Sequence, residues 1–166
     1  MQDRQVVVVT GASSGIGRET ALAFARRKAA VTLGARRAER LEEVADACRR
    51  AGGEALAVPT DVADQAQVRA LVESAIRRFG HVDVMVNNAG YGICDQRVWE
   101  VPAEQMRRIF EVNFFGIFYG CQAVAEHMIA RGRGHVFNVS SVIGKRGVPF
   151  HGAYCATKFA VCGLTD

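Results

Sequence analysis

The sequence predicts an α/β protein, a doubly wound parallel sheet with helices on both faces. Three observations lead there. Strand-like apolar runs alternate with longer helical patterns along the 166 residues, the sequence form of repeated β–α–β units. The first run, Val6-Val7-Val8-Val9, is four β-branched residues in a row, as in a parallel strand buried on both faces. It leads into the turn Gly11-Ala12-Ser13-Ser14-Gly15-Ile16-Gly17, and a helical pattern follows at once.

Taken in order, strands are expected at Val6–Thr10, Ala30–Ala35, Glu54–Pro59, Val82–Asn87 and His135–Ser140. Ile16, Leu22, Ala23 and Phe24 give the first helix its apolar positions. Leu41, Val44, Ala45 and Cys48 mark the buried face of a second helix. Val68, Leu71, Val72, Ala75, Ile76 and Phe79 mark a third, and Asp64 followed by Gln67 resembles a capping box at its start. Pro102 suits the first turn of a long helix running through Asn113 toward Ile129. A last helix begins near His151 and is still open at Asp166. No linker, repeat or low-complexity stretch interrupts the chain, so one domain over residues 1–166 is expected.

Composition narrows the function classes. Apolar residues make up 49% and charged residues 23%, ordinary for a soluble globular protein. Lys and Arg outnumber Asp and Glu by 21 to 17, a net charge of +4. That excess suits an anionic small molecule, but the basic residues form no clustered face of the kind nucleic acid requires. The arginine pairs Arg26-Arg27, Arg36-Arg37, Arg49-Arg50, Arg77-Arg78 and Arg107-Arg108 read mostly as solvated helix ends. Five cysteines, an odd number without Cys-x-x-Cys spacing, read as free thiols in a reducing compartment, and a cytoplasmic location follows. The four histidines lack ligand spacing, so no metal is expected. No apolar run is long enough to span a membrane.

Two stretches carry chemistry. Glycines at Gly11, Gly15 and Gly17 let the backbone approach a diphosphate, whose charge the free amides and positive end of the first helix would hold. The spacing Gly-x-x-x-Gly-x-Gly differs from the common dinucleotide fingerprint, and no Gly-Lys-Ser/Thr ending marks a nucleoside-triphosphatase loop. Near the other end, Tyr154 and Lys158 are four apart, one helical turn and one face. A lysine ammonium beside a phenol favours the phenolate, which lets a tyrosine exchange protons as a general acid and base. Ser140 and Ser141 precede the pair, with Ser141 thirteen residues before Tyr154.

With these residues in view, the chain resembles a short-chain dehydrogenase/reductase of the family's main Rossmann-type branch. Five motifs stand in the family's order: Thr10-Gly11-x-x-x-Gly15-x-Gly17, Asp61-Val62, Asn87-Asn88-Ala89-Gly90, Asn113, and Ser141 with Tyr154-x-x-x-Lys158. The resemblance runs from about Val6 to the last residue. It implies an oxidoreductase that interconverts an alcohol and a ketone or aldehyde by hydride transfer. Tyr154 would be the proton donor, Lys158 would tune it and hold the nicotinamide ribose, and Ser141 would hold the carbonyl oxygen. Asn113 would fix a water in a proton relay. Gly11, Ser13, Ser14, Gly15, Ile16 and Gly17 would take the diphosphate, Asp61 and Val62 the adenine, and Asn88, Ala89 and Gly90 the neighbouring cofactor surface. An aspartate at the end of the second strand would select NAD; this chain has Ala35 there, followed by Arg36 and Arg37. NADP (NADPH) is therefore expected, NAD less so.

The family's substrate-lining segments correspond to Gly92–Trp99 and Val142–His151, with Val98, Trp99, Val148 and Phe150. These suggest an apolar alcohol or carbonyl substrate, though they could also be core. The helices carrying Asn113 and Tyr154 form the usual dimer interface in the family, so a homo-oligomer is expected. Two departures stand out. Lys28 occupies a position where the family ends its first helix with glycine, implying a strained left-handed residue. The chain also stops at Asp166, inside the last helix, where the family continues to further strands. About five strands are therefore expected, with the carboxyl-terminal ones missing. The alternative functions are a truncated, catalytically inactive nucleotide-binding or interaction module, or a structural subunit that completes its sheet with another chain.

Overall fold

The computed structural model describes residues 4–165. Five strands, β1 (Val6–Thr10), β2 (Ala30–Ala35), β3 (Glu54–Pro59), β4 (Val84–Asn87) and β5 (His135–Asn138), form one parallel sheet in the order β3-β2-β1-β4-β5. Each successive pair is linked by helix, as parallel pairing demands. The helices are α1 (Gly15–Arg26), α2 (Ala38–Arg50), α3 (Gln65–Phe79), α4 (Ala103–Phe110), α5 (Gly116–Ala130) and α6 (Gly152–Thr165).

Alternation along β1 divides the core. Val7 and Val9 face one layer with Val31 and Leu33 of β2, and α1 and α2 cover it with Ala21, Leu22, Ala25, Leu41, Val44 and Cys48. Val8 and Met85 face the other, under Leu71, Val72 and Ala75 of α3 and Val124 and Met128 of α5. Val6 to Val9 are all essentially inaccessible, and full burial of one such side chain stabilises by about 1.5–3 kcal/mol. This is why the run reads as continuous rather than alternating.

Several boundaries differ from the sequence expectation for local reasons. β4 begins at Val84, not Val82, because the Val82 amide donates to Nε2 of His127 and its carbonyl accepts from Arg131. β5 ends at Asn138, not Ser140. The Val139 amide still donates to Asn87, but the Ser140 hydroxyl donates to the Lys158 carbonyl and draws the chain toward α6. Pro102 precedes α4 as its N-cap rather than entering the first turn. The long helix through Asn113 is interrupted by a π-helical turn over Glu111–Phe115. Asp64 caps α3 through the amides of Ala66 and Gln67, but the return bond of a capping box is absent. The Gln67 side chain instead donates to the Asp64 carboxylate and accepts from the Asp61 amide.

The first helix ends as the sequence implied. The Lys28 amide donates to Ala25 and the Ala29 amide to Phe24, the paired bonds of a Schellman motif. Lys28 stands in its left-handed position at φ +63°.

Candidate functional site

A cleft of about 780 Å³ opens at the carboxyl ends of the strands. It lies where the order reverses between β1 and β4, the crevice in which open parallel sheets take ligands. Gly11, Ser13, Ser14, Gly15 and Ile16 form its floor. Gly11 has φ +66°, and a Cβ there would stand 2.8 Å from the Ala89 Cα. A Cβ on Gly17 would stand 2.4 Å from the Gly11 carbonyl oxygen, so neither position admits a side chain. Ser14 makes no side-chain cap bond at the start of α1. The first amides of that helix are left to an anion at its positive end. This cradle fits a dinucleotide diphosphate.

Thr10 and Asn88 hold the cradle together. The Thr10 hydroxyl accepts from the amides of Asn88 (3.0 Å) and Ala89 (3.1 Å), and the Asn88 side chain donates to the Thr10 carbonyl at 3.0 Å. Asn88 therefore braces β1 against β4, while Ala89 and Gly90 form cleft wall. Asn87 is spent elsewhere, its amide donating to Asn138 at 2.9 Å.

At the β2–β3 end, Ala35, Arg36, Arg37, Asp61 and Val62 line the cleft together. Both arginines are exposed. The Arg37 guanidinium donates to the hydroxyls of Ser13 (3.2 Å) and Ser14 (3.4 Å), laying it over the glycine turn. Asp61 accepts from the Ala63 amide through Oδ1 (3.0 Å) and from Arg108 through Oδ2 (2.9 Å). Burial raises the Asp61 carboxyl, but the Ala63 amide and the Arg108 and Arg36 guanidiniums outweigh it and hold it below its ordinary value. Sequence reasoning missed Arg108. Its pairing as Arg107-Arg108 looked like a solvated face, yet only Arg107 is exposed.

The opposite end holds Val139, Ser140, Tyr154 and Lys158. One turn of α6 sets the Lys158 ammonium 5.6 Å from the centre of the Tyr154 ring. Lys158 is 3% exposed, and its ammonium donates to the Val139 carbonyl at 2.7 Å. Burial pushes that ammonium down, partly opposed by the Cys162 thiol. Of the two serines, Ser140 reaches the cleft but its hydroxyl is tied to α6. Ser141 begins a short 3₁₀ turn, Val142–Gly144, and its hydroxyl accepts only a long bond of 3.4 Å from the Ile143 amide. It directly follows Ser140 of the cleft wall.

Asn113 is fully buried in the π turn. Its side chain accepts from the Tyr91 amide (3.0 Å) and donates to the Tyr91 carbonyl (2.8 Å) and to Thr157 (3.2 Å). It thus clamps the loop after Gly90 to α6, and does not itself reach Lys158. A π turn is a frequent local distortion at functional sites.

Val98, Trp99 and Phe150 are not core: they are 59%, 77% and 54% exposed. Their two segments meet where the Gln96 amide donates to the Phe150 carbonyl (3.3 Å), and Phe150 sits at φ +64°. Among the described residues no group of His, Cys, Asp and Glu side chains could hold a metal. None of their helices is long and apolar enough to cross a membrane.

Comparison with known proteins agrees with this fold. The family described as short chain dehydrogenase matches residues 5–166. The chain is 42% identical over 161 residues to cis-4-hydroxycyclohexanecarboxylate dehydrogenase of Sinomonas cyclohexanicum, covering 97% of this chain and 64% of that protein. It superposes on an NAD⁺-bound xylitol dehydrogenase with a TM-score of 0.94 and 34% identity, covering 99% of this chain and 64% of that one. An alcohol dehydrogenase from Thermococcus sibiricus complexed with 5-hydroxy-NADP gives 0.90 and 35%, covering 97% and 68%. The chain spans about half to two thirds of the length of the first curated relatives it matches.

Proposed function

The chain belongs to the short-chain dehydrogenase family, and we propose that the protein is an NADP-dependent oxidoreductase that interconverts an alcohol with a ketone or aldehyde. A nicotinamide cofactor is supported by the cradle of Gly11–Gly17 and by neighbours that hold NAD or an NADP derivative. The observation that carries NADP over NAD is the end of β2, where Ala35 leaves no acid and Arg36 and Arg37 line the cleft. A free ribose 2′-hydroxyl calls for an acid there, a 2′-phosphate for an arginine. A charge-assisted bond from Arg36 is worth about 1.5–3 kcal/mol. NADPH should therefore bind about tenfold to a hundredfold more tightly than NADH in calorimetry. Equal affinities, or a preference for NADH, would overturn the assignment.

The nicotinamide, when bound, supplies or accepts the hydride. Tyr154 gives its phenolic proton to the carbonyl oxygen in reduction and takes it back in oxidation. Lys158 keeps a positive charge beside the ring and serves the nicotinamide ribose. Ser141 holds the same oxygen, since the Ser140 hydroxyl is already committed to α6. Asn113 keeps the post-β4 loop and α6 in register, and the proton relay expected of it would run through water rather than its side-chain amide. The exposed Val98, Trp99 and Phe150 favour an apolar alcohol or ketone. Five free thiols fit a cytoplasmic enzyme, and exposed Phe115 and Phe159 fit a homo-oligomer joined through the helices of Asn113 and Tyr154.

A further inference from the structure

We propose that Arg108 is a specificity-determining residue that masks the charge of Asp61 and so lets the cleft accept a 2′-phosphate. The inference rests on the NADP reading above. Asp61 is the one acidic group among the side chains lining the β2–β3 end of the cleft, and it shares that end with Arg36 and Arg37. Left bare, its carboxylate would repel a ribose phosphate carrying nearly two negative charges. It would also compete for the Arg36 guanidinium, which already acts on it.

Arg108 weakens both. It reaches from α4 across to the end of β3, and its Nη2 lies 2.9 Å from Oδ2 of Asp61. Its other terminal nitrogen is 3.1 Å from Glu111, which anchors the guanidinium on its own helix. Asp61 is 30% and Arg108 42% exposed at the side chain, so the pair is neither sealed in the core nor free in solvent. The charges lining this end are then Arg36 and Arg37, with the Asp61 carboxylate paired to Arg108, which also holds Glu111. That balance favours a phosphate without placing Arg108 on it.

Calorimetry of the protein with NADP⁺ and NAD⁺ tests this across Arg108→Leu, Asp61→Asn and the double variant. For charges on the order of 8 Å apart at an effective dielectric of about 40–80, as suits a pair this exposed, a bare carboxylate facing nearly two phosphate charges should cut NADP⁺ affinity about fivefold to thirtyfold. NAD⁺ affinity should change far less, so the preference for NADP⁺ falls in Arg108→Leu. In the double variant, with no charge left to mask, the preference should return to within about twofold of wild type. Arg108→Lys keeps the charge and should keep the ratio, which tests the idea if the leucine variant does not fold. An unchanged ratio in Arg108→Leu overturns the proposal. So does a fallen ratio that the double variant fails to restore, since Arg108 would then touch the phosphate directly. The wild-type ratio alone judges the NADP reading, and the change between variants judges Arg108.

Discussion

At the scale of single residues, the proposed reaction end of the cleft depends on one helical turn. Tyr154 and Lys158 share a face of α6, and the lysine is held against the Val139 carbonyl at 2.7 Å. Tyr154→Phe keeps the ring packed and removes the proton, so kcat should fall about 10²–10⁴-fold with cofactor affinity kept. A variant retaining more than a tenth of the activity would mean that another group is the acid. Lys158→Met preserves length in a site that is 3% exposed, but should lose rate and cofactor affinity together. Loss of rate alone, measured by NADPH titration beside turnover, would remove the ribose contact from its role. Both residues were legible in the sequence because the spacing of four is itself the geometry. Arg108 was not, because its partner Asp61 lies 47 residues away and only the packing of α4 beside β3 joins them.

At the scale of elements, the end of α1 carries a local conflict. Lys28 completes the Schellman motif at φ +63°, a conformation that costs a residue with a side chain about 1–2 kcal/mol. Glycine adopts it freely but has more entropy to lose on folding. Lys28→Gly should therefore stabilise the protein by about 0.5–1 kcal/mol, seen as a higher urea midpoint at unchanged slope. A lower midpoint would show that the lysine side chain contributes more than its backbone costs. The interruption at Glu111–Phe115 is the contrasting case. Asparagine is intrinsically poor inside a helix, and the reason for this one is the demand from Tyr91 and Thr157 for one amide group. That demand exists only once three elements have packed.

Across the whole molecule, Asp83 ties the base of the sheet together. Its carboxylate accepts from the Val6 amide at 3.0 Å and from Arg131 at 3.2 Å, and it pairs with His81. Burial raises its carboxyl, but the Val6 amide, His81 and Arg131 outweigh burial and lower it. A lowered folded-state value means that its stabilisation is present above its unfolded value of about 4 and is lost as pH falls below that. Asp83→Asn should cost about 1.5–3 kcal/mol at pH 7 and flatten the loss of stability on the acid side of pH 4. Acid unfolding curves of the two proteins that differ by a constant offset would contradict this. The outer edge of the sheet gives a second prediction. Val136 and Phe137 of β5 are 38% and 53% exposed, and among the described residues β5 pairs only with β4. An open apolar edge recruits other chains. These 166 residues, expressed by themselves, should associate in light scattering. A strictly monomeric species at micromolar concentration would refute this.

The sequence by itself determined the α/β class, the five strands, the glycine cradle and the tyrosine–lysine pair. Each is written in local spacing: runs of β-branched residues, glycines where no Cβ fits, and side chains one helical turn apart. Asp61, Arg36 and Arg37 were also visible as residue types at strand ends. Only the tertiary structure decided how those charges combine, that Arg108 masks Asp61 and that Arg37 lies over Ser13 and Ser14. It also decided that Asn113 clamps Tyr91 to α6, and that Ser140, not Ser141, is tied to the Lys158 carbonyl. The physical reason is common to all four. Hydrogen bonds and ion pairs between elements act over a few ångströms, and sequence neighbours do not reveal which distant groups folding brings within that reach.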